Sequence, residues 1–241
     1  MVIGMRLFDR AVDVIFPRRC PICDDAVDTV GELICRECQS RVKIIREPYC
    51  MKCGKPVISD AQRICRDCET TQHSFNRGRA AFCYDETMKD SIYRFKYGRR
   101  KEYADYYSNQ MVMLMKDQLK SWQPDALIPI PIHKKRFKQR GYNQAQLLAE
   151  RIAGDTGIPM RADILLRDED TKVQKNLTAA DRQNNLKKAL KIGVDVVKLK
   201  NIVIVDDIYT TGSTIDAAAS ILHDAGVENI YFMVLCSGDI S

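Results

Sequence analysis

The sequence predicts an α/β fold: a parallel sheet flanked by helices, preceded by a small cysteine-rich module. Two observations carry this. Apolar, mostly β-branched runs within Asp125–Pro131 and at Ile202–Val205 each lead on to a helical stripe, which is how strands of a parallel sheet are connected. Ahead of them, eight of the ten cysteines form four Cys-x-x-Cys pairs, a spacing that suits metal ions. The 241 residues have room for one full-sized domain and a smaller module. We divide them into an N-terminal helix (1–19), the cysteine module (20–72) and the sheet domain (73–241).

Taken in order, Met5, Phe8, Val12 and Ile15 recur at helical intervals and Pro17 ends the pattern, so residues 3–16 read as an amphipathic helix docked on the rest of the protein. Arg6, Asp9, Arg10 and Asp13 interrupt its apolar residues, which argues against a secretory signal, and no later stretch has the length of a membrane span. A cytoplasmic location is expected. In that reducing compartment cysteines serve metals more readily than disulfides.

Cys20 and Cys23 are followed after eleven residues by Cys35 and Cys38, and thirty positions later the pattern returns as Cys50, Cys53, Cys65 and Cys68. Two cysteines separated by two residues turn their sulfurs toward one ion, and two such knuckles close a tetrahedron of thiolates with no place for water. Two structural zinc ions are expected. Spacing leaves open whether the pairs act sequentially or interleave, although the repeat favours sequential ribbons. Arg18, Arg19, Arg41, Lys43 and Arg46 flank the first module, which could contact nucleic acid or protein, or serve as a scaffold. His73 is expected to be solvent-exposed, since eight cysteines already fill two sites.

Arg79–Tyr84 reads as a strand with Cys83 as a small buried residue, and Met88–Tyr97 as a short helix. The helix ends in the basic run Lys96–Lys101, either a solvated loop or one wall of an anion site. Ala104, Tyr107, Met111, Leu114 and Met115 form a helical core stripe. After the strand within Asp125–Pro131 comes Ile132-His133-Lys134-Lys135-Arg136-Phe137-Lys138-Gln139-Arg140-Gly141, read as a loop with five cations. It is a solvated loop or, if the strands run parallel, part of a pyrophosphate pocket at the same end of the sheet as the loop after Ile202–Val205. Tyr142, Ala145, Ala149 and Ile152 continue as a helix. A short strand near Ile164–Leu166 precedes the polar segment 167–185, a lid or a functionless loop. Asn229–Cys236 is the last strand, with Cys236 in the core, and His223 is assigned a structural role.

The most telling stretch is Ile202–Thr214. Asp206-Asp207 and then Thr210-Thr211-Gly212-Ser213-Thr214 follow a buried strand and open a helix. Hydroxyls, backbone N–H groups and a glycine at a helix start suit a phosphate, whereas the two carboxylates suit ribose hydroxyls or a hydrated Mg²⁺. The loop therefore suits a sugar phosphate. Absence of G-x-x-x-x-G-K-[ST] argues against a nucleotide P-loop.

This stretch resembles the PRPP-binding motif of type I phosphoribosyltransferases. With the cysteine modules ahead of it, the whole chain resembles the ComF (ComFC-type) late-competence family. The resemblance rests also on Lys96-Tyr97-Gly98, Ile130–His133, Arg140-Gly141-Tyr142-Asn143-Gln144, Gln174, Leu177, Arg182 and Asn185. It implies a type I phosphoribosyltransferase-like fold behind a double zinc ribbon. Asp206 and Asp207 would hold the ribose, and Thr210, Thr211, Gly212, Ser213 and Thr214 the 5′-phosphate. Ile132, His133, Lys134, Arg136 and Arg140 would face the diphosphate and its Mg²⁺. It also implies a part in natural transformation, with single-stranded DNA and a DNA-uptake helicase at the inner face of the membrane as expected partners. Turnover of PRPP on a nucleobase or other acceptor is the alternative to simple binding, and no stretch marks an acceptor pocket.

Overall fold

The computed structural model describes residues 17–167 and 187–238, apart from Val30, Lys188, Asp195 and Val197. The expected N-terminal helix, and the expected lid beyond Arg167, lie outside these residues. Among the described residues no helix is long and apolar enough to cross a membrane.

Short helices α1 (Arg36–Gln39) and α2 (Arg66–Thr70) each carry the second knuckle of a ribbon. The sheet domain follows as β1 (Arg77–Cys83), α3 (Glu86–Tyr97), α4 (Tyr103–Leu114), α5 (Lys116–Trp122), β2 (Ala126–Pro129), α6 (Lys134–Arg140), α7 (Gln144–Thr156), β3 (Leu165–Arg167), β4 (Leu190–Ile192), β5 (Asn201–Tyr209), α8 (Ser213–Asp224) and β6 (Asn229–Ser237). The main sheet has the order β1-β6-β5-β2 with every pairing parallel, and β3 and β4 form a separate antiparallel pair. The expected parallel sheet is present.

Alternation along the strands divides the interior into two cores. Val203, Val205, Leu127, Met233 and Leu235 face a layer containing residues of α3, α4 and α7, and Cys20 and Cys38 of the first ribbon join it. Ile202, Ile204, Ile128, Phe232 and Val234 face α8, together with Cys50, Cys53 and Cys65 of the second ribbon. Ile202 to Val205 are fully buried, each contributing about 1.5–3 kcal/mol relative to exposure. Cys83 and Cys236 are buried as expected.

The outer edge of β1 is covered by the ribbon chain. Lys52 O accepts from Gly78 N–H at 2.8 Å, Ile45 N–H donates to Ala81 O at 2.9 Å, and Lys43 O accepts from Cys83 N–H at 2.9 Å. Helix caps follow local sequence. Asp85 accepts from Met88 N–H at the start of α3, and Asn143 from Ala145 N–H at the start of α7.

Two expectations are corrected. The basic stretch after β2 is largely the helix α6, not a loop: His133 caps it by accepting from Lys135 N–H, and Gly141 ends it at φ +82°. His73 is buried, with its Nδ1 2.7 Å from Asp216 Oδ2 on α8. An acid far away in sequence supplies the partner that makes burial of the ring tolerable.

Candidate functional site

Four cysteine sulfurs in each ribbon lie within 4.8 Å of one another, grouped as Cys20, Cys23, Cys35, Cys38 and as Cys50, Cys53, Cys65, Cys68. The grouping is sequential. Cys53 and Cys65 Sγ are 3.7 Å apart and Cys23 and Cys35 Sγ 4.0 Å apart, close to the ~3.8 Å edge of a tetrahedron with Zn–S bonds of about 2.3 Å. Backbone N–H groups of Ile22 and Cys65 donate to Cys20 and Cys50 Sγ at 3.4 and 3.3 Å, which stabilises thiolate. The residues fit two zinc ions, and neither set leaves a position for water.

A second site forms where β5 and β2 end side by side. Asp206 and Asp207 lie near the carboxyl end of β5, and the turn to α8 follows. Gly212 has φ +83°, and a Cβ there would meet Tyr209 Oη at 2.7 Å, so the turn needs glycine for both conformation and space. Thr210 and Thr211 are exposed, Ser213 and Thr214 partly exposed. The Thr211 and Ser213 hydroxyls are 2.9 Å apart, leaving a polar rim around the start of a helix.

The two acids are not equivalent. Asp207 N–H donates to Asp206 Oδ1 at 2.8 Å, and Asp207 Oδ2 pairs with Lys96 Nζ at 2.8 Å. Burial, and then the charge of Asp207, push the Asp206 carboxyl up to about 7, against the opposing pull of that backbone donor, Lys96 and Arg140. Asp206 is therefore less readily ionised than an ordinary aspartate, which lessens its repulsion of an anion.

Arg140 ends α6 and turns inward, 7% exposed. Its Nη1 donates to Gln144 Oε1 at 2.8 Å and its Nη2 to Tyr97 Oη at 3.1 Å, holding the Tyr97 hydroxyl below its ordinary range. Arg140 Nε is buried without a hydrogen-bond partner among the described residues, so the site keeps a donor in reserve for an anionic ligand. Arg167 on β3 is desolvated, which together with Arg136 lowers its affinity for a proton, while Asp206 raises it. Arg136, Arg167 and Asp206 therefore lie within electrostatic reach of one another. Ile132, Lys134 and Arg167 line a cavity of about 250 Å³ beside the end of β2.

Residues 11–69 match the family described as a double zinc ribbon domain, and residues 138–240 that described as a phosphoribosyl transferase domain. Competence protein F of Haemophilus influenzae is 31% identical over 171 residues, covering 69% of this chain and 75% of that protein. This chain belongs to the ComF family. Competence protein ComFC of Bacillus subtilis is 29% identical over 185 residues, 72% of this chain and 70% of that protein. DNA utilization protein YhgH of Salmonella typhimurium is 30% identical over 156 residues, 64% and 68%. A purine phosphoribosyltransferase from Pyrococcus horikoshii Ot3 gives a TM-score of 0.36 at 16% identity, covering 55% of this chain and 74% of that one.

In this ComF protein the candidate site residues divide by depth. Asp207 and Arg140 are buried, Asp206, Ile132 and His133 are partly exposed, and Lys134 and Arg136 are exposed on α6. Sequence reasoning overlooked Lys96 as the partner of Asp207, and placed Arg167 in a lid. The basic run also splits. Lys96 serves the cleft, while Arg100 Nε pairs with Asp24 Oδ1 of the first ribbon at 2.7 Å. The KYG tripeptide at the end of a helix was the available signal for Lys96; nothing local marked Arg167.

Proposed function

We propose that this ComF protein binds PRPP with Mg²⁺ at the carboxyl ends of β5 and β2 and handles single-stranded DNA during competence. One observation carries the reading: an acidic pair and a hydroxyl-rimmed turn on β5 sit across from a buried arginine with an unused donor. The Thr210–Thr214 turn would take the 5′-phosphate, Asp206 and Asp207 the ribose hydroxyls, and Ile132, His133, Lys134, Arg136 and Arg140 the diphosphate side. Bound Mg²⁺ would neutralise charge on the diphosphate. The relatives named as competence and DNA utilization proteins support a place in DNA uptake, with an uptake helicase at the inner face of the membrane as the expected neighbour. Exposed Phe137 stands on α6 with Lys134, Lys135 and Lys138, and exposed Tyr93 and Tyr97 stand on α3; such a mixture suits stacked bases and a phosphate backbone.

The cations on the diphosphate side favour a second reading, an active phosphoribosyltransferase acting on a nucleobase or other acceptor, because charge placed there would stabilise a leaving diphosphate. Titration calorimetry with PRPP and Mg²⁺ tests the common core. Binding lost in Asp207→Asn supports it, and no binding by the parent protein refutes it. A pyrophosphate-release assay with a panel of bases, with and without single-stranded DNA, then separates binding from turnover. DNA affinity should fall steeply with salt and weaken when the exposed Lys135 and Lys138 are replaced by alanine; salt-independent or undetectable binding removes DNA from the proposal.

A further inference from the structure

The two ribbons are copies in sequence, yet they enter different cores. The second joins the core that contains Tyr209, Phe75, Phe232 and the buried face of α8. Tyr209 is the last residue of β5, directly before the anion turn, and it is 2% exposed. Its ring stacks on Phe232 at 4.8 Å and meets Phe75 edge-on at 6.2 Å. Lys55, two residues beyond Cys53, sets its ammonium 5.6 Å from the Tyr209 ring centroid and pairs with Asp67, the neighbour of Cys68, at 2.6 Å. Just after the last cysteine pair, His73 Nδ1 meets Asp216 Oδ2 at 2.7 Å, and Ser74 N–H donates to Asp216 Oδ1 at 2.9 Å. Asp216 is 2% exposed and lies in the first turn of α8. The second ribbon therefore grips the anion turn from the strand side, and the residues directly after it grip the turn from the helix side.

The first ribbon grips the opposite wall. Asp24 accepts from Tyr103 Oη at 2.6 Å and from Arg100 Nη2 at 2.9 Å. Ile22 O accepts from Arg94 Nη2 at 2.7 Å, and Pro21 O from the Ser91 hydroxyl. These are contacts to α3, the start of α4 and the link between them, and α3 carries Lys96 and Tyr97.

We infer that the repeats divide the cleft between them: zinc in the second ribbon holds the anion turn, and zinc in the first holds the Lys96–Tyr97 wall. Loss of one metal, by chelation or thiol oxidation, releases one wall and leaves the other in place. The functional meaning rests on the ligand proposed above; the mechanical claim does not. Hydrogen exchange on the full, zinc-loaded chain without ligand tests it. Cys65→Ser/Cys68→Ser should speed exchange of amides 210–216 at least roughly tenfold and leave those of 91–101 within about twofold. Cys35→Ser/Cys38→Ser should do the converse. Should either cysteine variant fail to fold, His73→Ala and Asp24→Asn keep all eight ligands, and should accelerate 210–216 and 91–101 respectively with both zinc ions retained. Equal acceleration of both segments in every variant, or unchanged exchange at 210–216 in His73→Ala, overturns the inference. PRPP titrated into the same proteins separates the two claims: the divided exchange pattern in a parent protein that binds no PRPP refutes the ligand and upholds the division.

Discussion

Replacing Asp206 by asparagine keeps the shape of the side chain and an oxygen for Asp207 N–H, and removes a charge that the fold disfavours. The Asp206 carboxyl rises from 3.8 to about 7, roughly three units, and at about 1.4 kcal/mol per unit this corresponds to about 4 kcal/mol. Water reaching the partly exposed carboxylate trims the expectation toward about 2 kcal/mol. Between pH 4 and 7 the folded protein holds this proton and the unfolded chain releases it, so raising the pH through that window lowers stability. Asp206→Asn should therefore be more stable than the parent at pH 8.5, and the advantage should shrink as the pH falls, to well under its full value at pH 5 and to zero only below about pH 4. Urea unfolding of both proteins at several pH values in zinc-containing buffer measures this, with m-values compared to check that the same transition is followed. Zinc release at low pH affects both proteins and cancels in the difference. A stability difference that stays constant from pH 5 to 8.5, or the parent being the more stable at high pH, would refute the reasoning.

Further expectations concern close packing and metal. At Gly78 a Cβ would lie 2.0 Å from the Phe232 ring, which is itself held by Tyr209 and Phe75, so Gly78→Ala should cost roughly 2–3 kcal/mol in thermal unfolding. Gly212→Ala forces a side chain into φ +83° and against Tyr209 Oη, and should abolish PRPP binding in calorimetry while both zinc ions remain. Elemental analysis of the purified protein should return two zinc per chain, and clearly fewer would overturn the ribbon assignment.

Much of this was legible along the chain. Ile202–Thr214 showed the strand, the acids and the turn, because a β-branched run followed by small hydroxyl residues and a helical stripe satisfies local rules without outside help. The cysteine repeat was equally plain, since ligand spacing is set by the geometry of one ion. Helix α6 was not. It buries only Arg140 among its residues, so no apolar stripe disclosed it, and its charge suggested a loop although His133 and Gly141 supplied the start and stop. The stripe from Ala104 to Met115 matched α4, but nothing apolar and periodic marked α5 after it. His73 was misjudged, and the pairing of Lys96 with Asp207 was missed, because the partners Asp216 and Asp207 are distant in sequence, and pairing of that kind is decided only when the layers close.

The covered edge of β1 has a practical corollary. A sheet ending in unpaired peptide groups is a template for the next molecule, and here residues 43–52 of the cysteine segment shield that margin. Trimming the chain to its sheet domain, or stripping its metals during purification, would bare a sticky border. Insoluble material from such a preparation would report the loss of this guard and say nothing about the ligand.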